Sequence, residues 1–332
     1  MSLQQTYPGI YMSAKGKKEL ASIDSIVFDC DGVLIDVSLS YDATIRKTAD
    51  HILRNTDVKD PIPITPDIIE GFKATGGFND EVDLTYAAIL GLYAAQKLGE
   101  DPNNFIFKVI QNADETGIAS VERFLDGITD ISPIKKKLDY PGRHDENLLY
   151  LTFDQIFYGS DLFFKLRGKN SAFSNKGLIE NDQILLSTLL LSELKKRFGK
   201  KIALVTGRGL ESVRYPLQKM LDEFDLDNSF FLEDEPRSLA KPNPASLINS
   251  ISGMNSAHCL YVGDSAEDLI MAQKSSQSHK VTFCGIIGTS KNPQKKLALF
   301  EEKGASIILD SIDLLPKALN QALDYDISRE GQ

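Results

Sequence analysis

The run Ser25-Ile26-Val27-Phe28 constrains this chain most, because it stops at two carboxylates, Asp29 and Asp31, with Cys30 between them and Gly32 behind. Ile26, Val27 and Phe28 are β-favouring and consecutive, which suits a strand buried on both faces of a parallel sheet. Asp29 and Asp31 then fall at its carboxyl end, the edge of an open α/β sheet where ligands bind. Gly32 admits a sharp turn, and Val33, Leu34 and Ile35 restore apolar character before Asp36. Two acids one residue apart are thereby held where they can share a cation and a substrate. Taken alone, the same residues also fit an Asx-rich turn. A calcium loop fits less well: with Gly32 as its central glycine, Val27 and Ser38 would hold the first and last ligand positions, and neither is a carboxylate.

Short apolar runs recur late in the chain. Ile202-Ala203-Leu204-Val205 ends at Thr206-Gly207-Arg208, and Leu260-Tyr261-Val262 ends at Gly263-Asp264-Ser265-Ala266-Glu267-Asp268. Further strands are expected at Phe230 to Leu232, Cys259 to Val262, Val281 to Cys284 and Ile307 to Leu309, with helical segments between them. Asp182 to Phe198 reads as a helix, with Leu185, Leu189, Leu190 and Leu194 inward and Lys195, Lys196 and Arg197 at its C-terminal end, where cations favour the helix dipole. Strands alternating with helices imply right-handed crossovers and an α/β fold with a doubly wound parallel sheet.

Between 37 and 175 the strand pattern is absent. Ser40 is placed to cap a helix whose face carries Tyr41, Ile45, Thr48, Ala49 and Ile52. Thr65-Pro66-Asp67 is a helix start, and Leu84, Ala87, Ala88, Ile89, Leu92 and Tyr93 mark another apolar face. Phe105 to Ile110, Ile118 to Leu125 and Leu148 to Leu166 read as helices, Asp126 to Asn147 as a loop, and the period lapses again from Arg167 to Gly177. The expected organisation is a discontinuous core, 1–36 with 176–332, interrupted by a helical domain at 37–175. Asp36 and Lys176 should then be neighbours in a two-stranded hinge, and the ordered core should begin near Ser22.

Composition narrows the function classes. With 332 residues, 42% hydrophobic and 25% charged, the chain reads as an ordinary globular protein. Its net charge of -10 argues against nucleic acid or an anionic membrane as partner but leaves room for a small anion at a local cationic site. Cys30, Cys259 and Cys284 lack metal-ligand spacing and read as reduced, packed thiols, and His51, His144, His258 and His279 form no motif. Met1 to Leu20 lacks the apolar segment of a signal peptide, so a cytoplasmic location is expected.

Each later motif is weak by itself. Thr206 and the N–H groups behind it could hold a phosphate, or form an ordinary strand-to-helix turn. Lys241 before Pro242, taken alone, is a solvated surface lysine. Ser265 with Asp268 three residues on is a helix start. In order, however, Asp-x-Asp, Thr, Lys-Pro and Gly-Asp-x-x-x-Asp resemble the four motifs of the haloacid dehalogenase (HAD) superfamily in its phosphatase form. The resemblance covers Ile23 to Asp36 and about Gly177 to Leu309, and the helical insert looks like a C1-type cap, larger than most relatives carry. Gly76-Gly77-Phe78-Asn79-Asp80 and Phe157-Tyr158-Gly159-Ser160-Asp161-Leu162-Phe163 are similar to a phosphoglycolate-phosphatase-like branch.

The resemblance implies a phosphatase acting on a small phosphate ester. Asp29 would be the nucleophile and Asp31 the proton donor and acceptor. Mg2+ would be held by the Asp29 carboxylate, the Asp31 carbonyl and the Asp264 carboxylate, with Asp268 orienting that shell. Thr206, Gly207 and Lys241 would bind the phosphoryl group. Arg208, Lys73, Asn79 and Arg167 are candidate substrate contacts, and the cap would close over the site. A phosphomutase using the same aspartates remains an alternative. A 2-haloacid dehalogenase is disfavoured by the second acid, Asp31, and a non-catalytic binding protein by the retention of every motif residue.

Overall fold

A computed structural model describes residues 2–56, 58–78, 80–143 and 146–330, with side chains given to 323. The chain divides into two compact units, one of 1–36 with 183–332 and one of 37–182.

The first unit is built on a sheet. Its strands are β1 (Gln4–Tyr7), β2 (Ile10–Met12), β3 (Ser25–Phe28), β6 (Ile202–Thr206), β7 (Phe230–Phe231), β8 (Cys259–Gly263), β9 (Val281–Ile286) and β10 (Ile307–Leu309), while β4 (Ile35–Asp36) and β5 (Gln183–Ile184) form a separate pair. The order across the large sheet is β1-β2-β10-β9-β8-β3-β6-β7, with β10, β9, β8, β3, β6 and β7 parallel. From β3 the chain proceeds to β6 and β7 on one side, then returns to β8, β9 and β10 on the other. The crevice at the end of β3 is therefore the switch point where α/β sheets bind ligands. All four residues of β3 are buried, and each large apolar side chain among them contributes about 1.5–3 kcal/mol on leaving water.

Three expectations for this unit need correction. Order begins before Ser22: β1 and β2 form an antiparallel hairpin that extends the parallel-dominated sheet at β10, with Met12 opposite Ile307. Ser13 caps the following helix, Ala14–Ala21, by accepting the Gly16 N–H at 3.0 Å. The helix expected from Asp182 starts only at Thr188, capped by Ser187. Upstream of it the N–H groups of Leu185 and Leu186 donate to the Leu34 carbonyl, and Gln183 pairs with Asp36. Strand pairing has taken the backbone groups that an earlier helix start would need. The paired segments beside Asp36 thus lie at Gln183–Ile184, a turn or two past Lys176.

Among its described residues, the second unit has no strand, only an isolated bridge between Gly159 and Lys176. Its centre is the helix Glu81–Leu98, which is buried around most of its circumference and not along one face alone. Thr65 caps Pro66–Ala74 by accepting the Ile68 N–H. Ser40 is not a cap: the helix begins at Ser38, and the Ser40 hydroxyl donates to the Val37 carbonyl and to Asp182. A short helix, Ser132–Leu138, occupies part of the expected loop, anchored by buried Ile134 and Leu138. The helix Leu148–Arg167 is broken at Gly159, whose φ of 73° and close approach to Gly177 leave no room for a side chain. No helix among the described residues is long and apolar enough to cross a membrane.

Candidate active site

Asp29 leaves the end of β3 between the ends of β6 and β8, and its N–H donates to the Val262 carbonyl at 2.8 Å. The chain then turns sharply at Gly32, where φ is 70° and the N–H donates to the Ile35 carbonyl at 2.8 Å. A Cβ on Gly32 would lie 2.3 Å from Oδ2 of Asp264, so glycine is required both by the backbone and by the carboxylate laid across it. The Thr289 hydroxyl steadies the turn from outside, donating to the Gly32 carbonyl at 3.0 Å.

Lys241 joins two acids. Its Nζ lies 2.7 Å from Oδ1 of Asp29 and 2.7 Å from Oδ1 of Asp268, and the lysine side chain is 9% exposed. The surface lysine that Lys241-Pro242 suggests by itself is instead a buried counter-ion. Burial acts to lower the Lys241 pKa, but the two carboxylates outweigh it and hold the ammonium charged. Burial and the nearby Asp268, Asp264 and Asp31 push the Asp29 carboxyl well above its ordinary value, against the pull of Lys241. Burial also acts to raise Asp268, yet Lys241 and the hydroxyls of Tyr261 and Ser265 hold it below the usual carboxylate range.

Asp268 is fully committed to its surroundings. Oδ1 accepts from Lys241 and from the Tyr261 hydroxyl at 2.7 Å, while Oδ2 accepts from the Asp264 N–H, the Ser265 N–H and the Ser265 hydroxyl. Ser265 caps the helix Ala266–Ser275 in a reciprocal capping box with Asp268, which is how the sequence fixes this side chain.

The remaining motif residues occupy the same sheet edge. Thr206 ends β6, is fully buried and accepts the Arg208 N–H at 3.3 Å; Gly207 beside it is exposed. Asp31 is bound by Arg208, with Nε 2.6 Å from Oδ1, and the arginine side chain is 2% exposed. Asp264 is bound by Lys296 at 2.7 Å. Arg208, expected as a substrate contact, is thus turned inward onto Asp31. In the helical unit Lys73 pairs with Glu81 and Arg167 with buried Asp154, so both expected contacts hold acids of their own unit, and Asn79 lies outside the described residues.

Tyr261 and Lys296 were not singled out by sequence. A tyrosine inside a fully buried strand needs a partner for its hydroxyl, so Tyr261 carried a usable signal. Lys296 sits beside Lys295 in the helix Pro293–Glu302, where nothing distinguishes a lysine that reaches a site from a solvated one.

One carboxylate oxygen from each of Asp29, Asp264 and Asp268 lies within 4.8 Å of the others. The donor set is all oxygen, which suits a hard cation such as Mg2+. Because both Asp268 oxygens already accept several hydrogen bonds, Asp29 and Asp264 are the acids suited to ligate and Asp268 the one suited to orient.

The sequence comparisons agree with this geometry. Residues 174–275 match the family of haloacid dehalogenase-like hydrolases, a stretch that includes Thr206, Lys241, Asp264 and Asp268. That stretch is thus similar to a haloacid dehalogenase-like hydrolase. It is also 23% identical over 309 residues to an imidazoleglycerol-phosphate dehydratase of Phytophthora nicotianae; the match covers 89% of this chain and 53% of that protein, so the chain spans about half the length of this relative. Among solved structures, a structural-genomics target superposes with a TM-score of 0.64 at 19% identity, covering 91% of this chain and 100% of the other. Phosphatase Tt82 from Thermococcus thioreducens superposes with a TM-score of 0.54 at 21% identity, covering 84% and 99%. At these identities the superpositions establish the shared fold.

Proposed function

We propose that this protein is a Mg2+-dependent phosphatase that hydrolyses a small phosphorylated metabolite through an aspartyl-phosphate on Asp29. The observation that carries the reading is Asp29 itself, a buried carboxylate at the switch point of the sheet with the Lys241 ammonium 2.7 Å away. An Asp29 oxygen attacks phosphorus as the ester P–O bond breaks, and a proton from Asp31 passes to the leaving oxygen. Water then attacks phosphorus, its proton goes to Asp31, and cleavage of the acyl phosphate regenerates the Asp29 carboxylate. Thr206 and the Gly207 N–H hold the phosphoryl oxygens, and Lys241 offsets their charge. The Asp29 and Asp264 carboxylates and the Asp31 carbonyl would hold Mg2+, which when bound supplies positive charge against the phosphoryl oxygens. The helical unit serves as the cap that excludes water and selects substrate.

The test is release of inorganic phosphate from 4-nitrophenyl phosphate with Mg2+, and its loss with EDTA. A panel of phosphorylated metabolites then finds the natural substrate. Imidazole-bearing phosphate esters belong on it, because the Phytophthora relative is named for one. Turnover that survives complete metal removal, or no turnover of any phosphate ester, contradicts the proposal.

A further inference from the structure

Arg208 is the least expected feature of the site. Its guanidinium is almost completely buried, Nε donates to Oδ1 of Asp31 at 2.6 Å, and Nη1 donates to the Ser212 carbonyl at 3.3 Å. Its own N–H is held by the Thr206 hydroxyl. The base of the arginine is equally fixed: Gly209 and Leu210, which open the helix Leu210–Leu217, donate their N–H groups to Glu233 and Asp234 at 3.0 and 2.7 Å. One part of the guanidinium is thus anchored to the protein frame while another grips Asp31. An arginine can only donate, and its planar fork fixes direction as well as charge.

We infer that Arg208 is a positioning residue for Asp31, not a substrate contact. Asp31 directly precedes the turn at Gly32 and is only partly buried, so its side chain needs an external constraint to meet the leaving oxygen. A misplacement of about 1 Å in such a group costs roughly 100-fold in rate. The inference rests on the proposed role of Asp31 as proton donor. It predicts that Arg208 matters in proportion to how much the leaving group needs a proton.

The experiment compares kcat/KM, which reports formation of the aspartyl-phosphate, for 4-nitrophenyl phosphate and phenyl phosphate in the wild type, Arg208→Gln and Arg208→Lys. Nitrophenolate leaves well unprotonated and phenolate does not. The expected result is a loss of roughly 100-fold on phenyl phosphate and less than about 5-fold on 4-nitrophenyl phosphate. Arg208→Lys should fall between, because it keeps charge but cannot grip Asp31 and Ser212 together. Equal losses on both substrates, the outcome for a phosphate contact or a purely structural role, overturn the inference while leaving the phosphatase reading intact. Absence of turnover in the wild type overturns both. If Arg208→Gln melts before the assay temperature, the Arg208→Lys ratio decides the matter in the same way.

Discussion

Replacing Lys241 by methionine probes the site's electrostatics more directly than any other change. The substitution keeps most of the side-chain volume but removes the charge that now stands 2.7 Å from both Asp29 and Asp268. Asp268 is fully buried and Asp29 nearly so, so neither acid can turn to solvent for compensation. Breaking a buried ion pair in this way costs about 3–5 kcal/mol. For a unit of this size each kcal/mol lowers the melting temperature by about 2–4 °C, so a drop of roughly 10 °C is expected. The assay is thermal unfolding in EDTA, with urea unfolding as a check, so that bound metal does not enter. A melting temperature within about 2 °C of wild type would refute the view of Lys241 as the counter-ion of two buried acids.

Other substitutions test the frame around it. Gly32→Ala forces a left-handed backbone on a residue with a Cβ, costing about 1–2 kcal/mol, and drives the Asp264 carboxylate from its place; phosphate release should fall more than about 100-fold, and near-normal kinetics would show that Asp264 does not need that position. Tyr261→Phe removes the hydroxyl that Asp268 accepts at 2.7 Å and should lower stability by about 1.5–3 kcal/mol in urea unfolding. At the opposite end of β8, His258 lies between Ser22 and Thr282, and burial, with Lys280 nearby, lowers its pKa from 6.5 to about 4. The folded state then binds fewer protons than the unfolded state between those values, so stability is intact above pH 6.5 and declines toward pH 4. A shift of that size is about 3 kcal/mol at most, and partial solvent screening reduces it to roughly 1–2 kcal/mol. His258→Gln should flatten that part of the stability–pH curve, and an unchanged slope would assign it to other groups.

The sheet was legible where burial on both faces made the sequence uniformly apolar, as in β3, β6 and β8. It was illegible where backbone pairing, not hydrophobicity, set the structure. Gln4–Tyr7 is largely exposed and polar, and Gln183–Ile184 is exposed, so neither displays the pattern of a buried strand. Ser132–Leu138 is too short for a helical period to emerge among its three lysines. In the site, the acids and Thr206 could be placed because each follows an apolar run. Lys241 could be placed only through the order of the motifs, since a lysine before proline has no local sign of burial. Arg208 was found, but the direction of its side chain depends on Ser212 and Asp31 meeting across the fold, which sequence spacing does not show.

The most direct test of the account is the identity of the phosphorylated residue during turnover. Enzyme mixed with Mg2+ and a rapidly reacting aryl phosphate is quenched in acid, digested and mapped by mass spectrometry. The account predicts one phosphoryl group on the peptide containing Asp29, located to that residue by fragmentation and absent from Asp29→Asn, which should neither trap phosphate nor turn over. A phosphoryl group on a different side chain, or an Asp29→Asn variant that hydrolyses the ester at the wild-type rate, would contradict it.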